Sequence, residues 1–337
     1  MLSDRQKLIL KAIIEEYVST NEPVGSKVLT NKPYLDFSSA TIRYDMQHLE
    51  EDGYLEKTHT SSGRIPSQSG YRYYVDHLII RDENVKEYFK YVDEILDDKN
   101  LSKEDALQKV ADFLSELTGF YTAISGSAND YAKVMKMEIV PLAEKEAVLL
   151  IVTNNGSVQS QKIAIPSGYN MDDLLKIIQM FDNAMYDHSI SEIREILSKE
   201  ASKPRIREMV SFRDDILNFM IKGFSRFLTA DSYDSGLSKL FNQPEFQDYQ
   251  SMQKILNAID NDIVKEFNSS EAGIKIHIGT EIMIPGLEDC SILAMPYFVN
   301  DSEYGTIKLV GPKRMNYRGI IPLLEYVSKS MSKLDNK

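Results

Sequence analysis

Three helical patterns, followed by a short strand and a polar turn, occupy the first 80 residues and leave few folds open to this segment. Residues 3–20 repeat apolar side chains at helical spacing behind a capping-box sequence. A break at Pro23 precedes a short second helix, for which Ser26 is the predicted cap. A third helix starts at Ser38 or Ser39 and ends at Gly53. The order predicts a small helical unit closed by a hairpin.

The third helix has one apolar and one polar face. Its apolar stripe has the spacing of a buried helix face and consists of Ile42, Met46 and Leu49. The opposite face carries groups that can form hydrogen bonds, namely Thr41, Arg43, Tyr44 and Gln47. We therefore expect one side of this helix in the core and the other side in solvent.

A predicted hairpin and a fourth helix follow. Residues 54–58 read as a strand, and the polar turn of residues 59–64 is closed by Pro66. Ser67 is predicted to cap the next helix, with Tyr71 and Tyr74 in the core. Three helices and then a loop with Gly and Arg at its tip form the order of a winged helix-turn-helix, in which the third helix enters the major groove of DNA.

Charge limits where a nucleic acid can bind this chain. The 337 residues carry a formal net charge of -12, so any DNA-binding face must be local. The first 80 residues hold nine Lys and Arg against eleven Asp and Glu. The segment 57–75 contains Lys57, Arg64 and Arg72 and no acidic residue. We predict a small basic strip from Lys57 to Arg72.

The remaining residues predict more than one domain, because a chain of this length exceeds one ordinary core. Residues 81–103 read as a charged helical connector, and 104–118 as an amphipathic helix. Strand patterns before and after a helical block suggest a domain inserted into another. These strands are predicted at 135–140, 147–153, 157–165, 274–278, 291–298 and 304–310, the helical block lies at 171–267, and a last helix covers 317–333. Asn154-Asn155-Gly156 is a hairpin signal between the second and third strands.

Several ordered motifs resemble those of one family. They are Pro23-Val24-Gly25-Ser26, Ser39-Ala40-Thr41-Ile42-Arg43, Gly53-Tyr54-Leu55, residues 59–66, residues 70–76, Gln243-Pro244-Glu245-Phe246, Ile278-Gly279-Thr280-Glu281 and residues 311–317. In this order they resemble the heat-inducible transcription repressor HrcA family over nearly the whole chain. Two positions depart from the family pattern, since Tyr44 and Ile282 stand where the family has Asn.

The resemblance implies a fold and a function. It implies an α+β multidomain protein with a winged helix-turn-helix over 1–80, a helical linker over 81–103, a GAF-like α/β domain built from 104–170 and 270–337, and a helical inserted dimerizing domain over 171–269. It further implies a homodimer that represses chaperone operons of the groE and dnaK type. The operator would be the inverted repeat CIRCE, heat stress would release the protein, and the GroEL chaperonin would modulate its activity.

The DNA contacts follow from residue chemistry and from the implied fold. Arg43 can donate two hydrogen bonds to guanine, and Gln47 suits adenine. Thr41, or alternatively Ser38 or Ser39, can hold a phosphate at the helix N-terminus, and Tyr44 can contact sugar or a thymine methyl. The predicted wing contacts with the backbone or minor groove are Lys57, His59 and Arg64. Ser26 and Ser62 complete the predicted DNA-binding set.

Other interpretations remain open. Arg43 can instead pair with Asp36, Gln47 can be an ordinary solvated residue, and His59 can be an ordinary surface histidine. A GAF-like domain can sense a small molecule, and an enzyme can carry an accessory helix-turn-helix. Against an enzyme, the histidines lack metal-ligand spacing, and no catalytic, metal or cofactor site is predicted. Cys290 is expected to be a buried thiol, and the absence of long apolar runs predicts a cytoplasmic protein without membrane contact.

Overall fold

The fold is described from a computed structural model. The structure describes residues 2–57, 63–128, 133–143, 146–154, 158–164, 171–189, 192, 196, 232–259, 267, 273–300 and 303–336. The contacts divide the chain into two compact units. The first comprises Met1–Ser125, Ser232–Asn300 and Gly305–Lys337, and the second comprises Gly126–Asp231 and Asp301–Tyr304.

The first 80 residues, which we call the head, fold into helices and a hairpin in the predicted order. The elements are α1 (Asp4–Thr20), α2 (Ser26–Leu29), α3 (Ser39–Glu51), β1 (Leu55–Lys57), β2 (Arg64–Pro66) and α4 (Gln68–Tyr73). Strands β1 and β2 pair antiparallel, with Lys57 opposite Arg64. A single turn of π-helix, Tyr74–Leu78, extends α4.

Local side chains explain where the helices of the head begin. Ser3 and Gln6 form the predicted capping box of α1, and the hydroxyls of Ser38 and Ser67 cap α3 and α4. The expected cap of α2 is wrong, because Gly25 occupies that position and the Ser26 hydroxyl bonds elsewhere. The apolar stripe of α3 is buried as predicted, and so are the rings of Tyr71 and Tyr74.

The rest of the first unit contains a five-stranded sheet with helices. Its helices are α5 (Phe89–Asp97), α6 (Lys103–Thr118), α8 (Leu237–Phe241), α9 (Tyr249–Ala258) and α10 (Tyr317–Ser330). Its strands are β3 (Tyr121–Ala128), β7 (Ser232–Ser235), β8 (Lys275–Ile278), β9 (Cys290–Asn300) and β10 (Glu303–Pro312). The strand order is β7-β3-β10-β9-β8, so β10 is central and β8 is an edge. Short 3₁₀ turns lie at Glu83–Tyr88, Pro244–Phe246, Gly279–Ile282 and Met331–Asn336.

The second unit contains a three-stranded antiparallel sheet and one described helix. Strands β4 (Val134–Ala143), β5 (Glu146–Thr153) and β6 (Val158–Ala164) pair in sequence order, as the predicted hairpin requires. Helix α7 (Met171–Met185) packs on β4, and the Asp182 carboxylate accepts a hydrogen bond of 2.6 Å from the Met137 amide. The helix predicted within 206–227 lies outside the described residues.

The contacts divide the chain at positions that differ from the predicted domain boundaries. Strands β4 to β6 belong with α7, whereas residues 232–259 belong with the later strands. Two strands were missed: β3, and β7, which interrupts the segment predicted to be helical. The sequence predicts a helical linker over 81–103; within this segment, Val92 and Leu96 of α5 are buried in the same core as α10. In the described residues, no helix combines the length and apolarity needed to span a bilayer.

Candidate nucleic-acid interface

Four hydroxyl groups cluster where α2 and α3 begin. The Ser38 hydroxyl accepts the Thr41 amide N–H at 3.1 Å and lies 2.9 Å from the Thr41 hydroxyl. The hydroxyls of Ser26 and Ser39 lie 2.9 Å apart and join the two helices. These bonds fix the α3 N-terminus, where free amide groups favour an anion such as a phosphate.

The solvent face of α3 carries three of the predicted contact residues. Arg43 is exposed and makes no hydrogen bond or ion pair with any residue that the structure describes, Asp36 included. The Tyr44 ring is 60% exposed and packs edge-on against His48. The Gln47 amide donates to Glu51 at 2.9 Å, so a base must displace this bond to be read. Of the residues predicted to read bases, Arg43 is therefore the one without a hydrogen bond to a described residue.

Two ion pairs connect α3 to its neighbours, one through the buried Asp45 and one through the half-buried Glu50. Arg5 of α1 donates from Nε and Nη2 to the Asp45 carboxylate at 2.5 and 3.1 Å, and the Asp45 side chain is 3% exposed. Arg64 of β2 donates from Nε to Glu50 at 2.6 Å. A planar guanidinium that bonds a carboxylate fixes direction as well as distance. These pairs orient α3 with respect to α1 and the hairpin.

The hairpin contributes one exposed cation from β1. Lys57 is exposed, and it makes no ion pair within the described part of the chain. Arg64, its cross-strand partner, is held by Glu50, and its side chain is only 16% exposed. His59 and Ser62 lie outside the described residues.

The predicted basic strip is wrong as a continuous positive surface. Arg64 pairs with Glu50, and Arg72 pairs with both Asp76 and Glu281. The sequence count missed this neutralisation because Glu50 and Glu281 reach the strip from other parts of the chain.

The cations of the head fall into two groups. Six of its nine Lys and Arg residues form ion pairs with carboxylates, namely Arg5, Lys7, Lys11, Lys32, Arg64 and Arg72. The other three, Lys27, Arg43 and Lys57, are exposed and make no ion pair with a described residue. They lie on α2, α3 and β1, one on each. Sequence reasoning missed Lys27, whose signal is a cation beside Ser26 at the start of α2.

Two further features bear on catalysis and metal binding, namely the thiol of Cys290 and the arrangement of possible metal ligands. Cys290 is buried, and burial raises the pKa of its thiol well above the usual range. In the part of the chain that the structure describes, no cluster of three or more His, Cys, Asp or Glu side chains has the arrangement of a metal site.

Comparisons with known proteins give a consistent result. The family model described as "HrcA protein C terminal domain" matches residues 104–321. The heat-inducible transcription repressor HrcA of Acholeplasma laidlawii (strain PG-8A) is 41% identical over 335 residues, which cover 99% of this chain and 98% of that protein. The protein of the same name from Aster yellows witches'-broom phytoplasma (strain AYWB) is 36% identical, with 100% and 99% covered. A solved structure titled "Crystal structure of a hypothetical protein at 2.2 A resolution" shares the fold, with a TM-score of 0.61, 23% identity, and 100% and 99% covered.

These matches define the class of the chain as a transcription repressor that binds DNA. The fold of the head and its three cations without an ion pair in the described residues agree with this class. Within that class, the chain belongs to the HrcA family of heat-inducible transcription repressors.

Proposed function

We propose that the chain represses chaperone operons of the groE and dnaK type by binding the inverted-repeat operator CIRCE as a homodimer, with the head acting as a winged helix-turn-helix. Helix α3 enters the major groove, where Arg43 reads guanine and Gln47 reads adenine. The α3 N-terminus and Lys57 contact phosphates, and Lys27 is a further phosphate contact.

One observation carries this proposal. Lys27, Arg43 and Lys57 are the cations of the head without an ion pair in the described residues, and they belong to the elements that a winged helix-turn-helix turns towards DNA. Their number is small, so one head has few phosphate contacts and two heads must act together for useful affinity.

The residues outside the head are assigned to regulation and to pairing of two chains. Residues 104–170 and 270–337 form the GAF-like domain, and the inserted segment 171–269 pairs two chains. Pairing suits an inverted repeat, because two-fold symmetry in the protein matches two-fold symmetry in the operator. The GroEL chaperonin maintains repression, and heat stress relieves it.

The decisive experiment measures binding of the full chain to a duplex that carries the inverted repeat and to a scrambled duplex of equal composition. Fluorescence anisotropy at several salt concentrations, with and without chaperonin, separates specific from charge-driven binding. We expect a clear preference for the repeat, increased by chaperonin. Equal binding to both duplexes under every condition in which the protein is folded would contradict the proposal.

Arg43 and Lys57 should affect binding in different ways. Arg43→Ala should remove about 1–3 kcal/mol of discrimination at one base pair of the operator. Lys57→Ala should weaken binding to all duplexes alike and lower the salt slope by about one unit. Titrations of both variants against matched and base-substituted operators check this, and the same effect from both would refute the division of roles.

The Glu50–Arg64 ion pair should support DNA binding indirectly. Removing an acidic charge near DNA normally strengthens binding, because the carboxylate repels phosphates. We nevertheless expect Glu50→Gln to weaken operator binding, because Arg64 then loses the group that holds β2 against α3. Glu56→Gln is the matched control, since Glu56 is exposed on β1 and makes no ion pair in the described residues. It should bind as tightly as wild type or more tightly, and stronger binding by Glu50→Gln would count against this role.

A further inference from the structure

Helix α4 is hydrogen-bonded to the two residues, Gly53 and Tyr54, that follow the DNA-reading helix α3. The Ser67 hydroxyl, which caps α4, donates to the Gly53 carbonyl directly after α3 at 2.6 Å. The Ser67 amide donates to the Tyr54 carbonyl at 3.1 Å. Gly70 lies so close to Tyr54 that a β-carbon would overlap its carbonyl oxygen. The direction of α4 is therefore linked to the position of the C-terminal end of α3.

The other side of α4 contacts the 3₁₀ turn after β8, which contains Gly279, Thr280 and Glu281 of the Ile278-Gly279-Thr280-Glu281 motif. The Gln68 amide donates to the Thr280 hydroxyl at 3.1 Å and accepts the Thr280 N–H at 3.0 Å. Gly279 has a φ of 60°, and a β-carbon there would overlap the Gln68 amide oxygen. The turn and α4 therefore approach each other closely.

Arg72 completes this contact with a forked interaction. Its Nε donates to Glu281 Oε1 at 3.0 Å, and its Nη2 donates to Glu281 Oε2 and to the Ile276 carbonyl, the latter at 2.7 Å. Burial acts to raise the pKa of the Glu281 carboxyl, but the hydrogen bonds from Arg72 and the Ile278 amide outweigh it and hold that pKa below its usual value. Glu281 is therefore ionised at neutral pH.

Apolar packing and a second polar contact lie close by. The rings of Tyr71 and Tyr317 are packed with centroids 6.3 Å apart. Arg318 lies 3.6 Å from Glu15 of α1, and Glu15 accepts a hydrogen bond from the Tyr74 hydroxyl. Ring packing at a tilted angle restrains direction weakly, whereas a forked guanidinium–carboxylate pair restrains it strongly. Of these contacts, the forked pair at Arg72 and Glu281 therefore restrains the angle between α4 and the turn most strongly.

We propose that Arg72 and Glu281 are positioning residues that determine which half-site spacing the repressor accepts. A dimer binds two half-sites only if its two recognition helices stand at the matching separation and rotation. The edge strand β8, paired with β9 from Lys275 to Ile278, connects this angle to the five-stranded sheet. The inference rests on the proposed function, because it requires two heads on one inverted repeat.

The test compares duplexes with different spacers between the half-sites. Adding one or two base pairs rotates one half-site by about 35° or 70°, since a helical turn contains about 10–10.5 base pairs. Dissociation constants are measured for these duplexes, the natural repeat, a single half-site and scrambled DNA. The proteins are wild type, Arg72→Gln, Glu281→Gln, the double variant, and the control Lys333→Gln, which removes an ion-pairing cation far along the chain from the head.

We expect wild type and Lys333→Gln to lose affinity when the spacer is lengthened. The two single variants should show a much smaller loss, should bind the single half-site as wild type does, and should not be additive in the double variant. Hydrogen exchange of α3 peptides verifies that the head is folded. Spacing discrimination equal to that of wild type, or a variant that loses half-site affinity, would overturn the inference. Failure of wild type to prefer the repeat over scrambled DNA would instead overturn the proposed function.

Discussion

Replacing Gly70 with alanine should destabilise the packing of α4 against Tyr54 by about 2–3 kcal/mol. The new β-carbon would overlap the Tyr54 carbonyl oxygen, a backbone atom that also accepts the Ser67 amide. A side chain could rotate away, but this backbone atom cannot. Alanine also favours a helix by about 1 kcal/mol relative to glycine, which offsets only part of the loss. Hydrogen exchange measured by mass spectrometry should show reduced protection over residues 67–78.

Ser69→Ala is the matched control for this experiment. It introduces the same residue one position earlier, on the exposed side of the same helix. Protection should stay at the wild-type level or increase slightly, because alanine has the higher helix propensity. Equal protection in Gly70→Ala and Ser69→Ala would show that the close approach to Tyr54 does not contribute to the stability of α4.

A second large effect is expected from the pH dependence of stability, because Lys308 is fully buried in the central strand β10. Burial lowers its pKa to about 7, whereas an unfolded lysine titrates near ~10.4. Between these values the unfolded chain binds a proton that the folded chain does not, so the free energy of unfolding rises with pH. The rise contributed by Lys308 should be ~4 kcal/mol between about pH 7 and pH 10.5.

Lys308→Met isolates this contribution. Methionine has a similar length and no charge, so its burial carries no proton linkage. Relative to wild type, the variant should be more stable at pH 7 than at pH 10.5, because only wild type gains stability as pH rises through this range. Tyr317 and Cys290, whose pKa values burial raises, titrate in both proteins and cancel in the comparison. Urea unfolding at a series of pH values measures the difference, and a difference independent of pH would contradict the buried-lysine assignment.

The head could be predicted from the sequence because its signals are local. Caps at Ser3, Ser38 and Ser67 bond to amides within three residues, and the buried stripe of α3 repeats at helical spacing. The exposed position of Arg43 follows from the same periodicity. Lys27 was missed because α2 is too short to show a face by periodicity.

The missed elements depend on partners far along the chain. Strand β7 has the sequence Ser-Tyr-Asp-Ser, which lacks apolar alternation, and it forms because β3 offers an edge more than 100 residues earlier. The prediction of a continuous basic strip was wrong for a related reason. Arg72 has one partner in its own segment, Asp76 four residues later, but only the folded chain brings Glu281 to it.

The contact between Arg72 and Glu281 also has a consequence for biosynthesis. These residues are 209 positions apart, so the ribosome completes the segment of α1 to α4 long before it makes the turn on which α4 docks. At roughly 5–20 residues per second, the delay is roughly 10–40 seconds. During this interval the nascent chain contains Arg43 and Lys57 but not the residue that restrains their direction. The restraint that Glu281 places on α4 is thus acquired only after residue 281 has been synthesised.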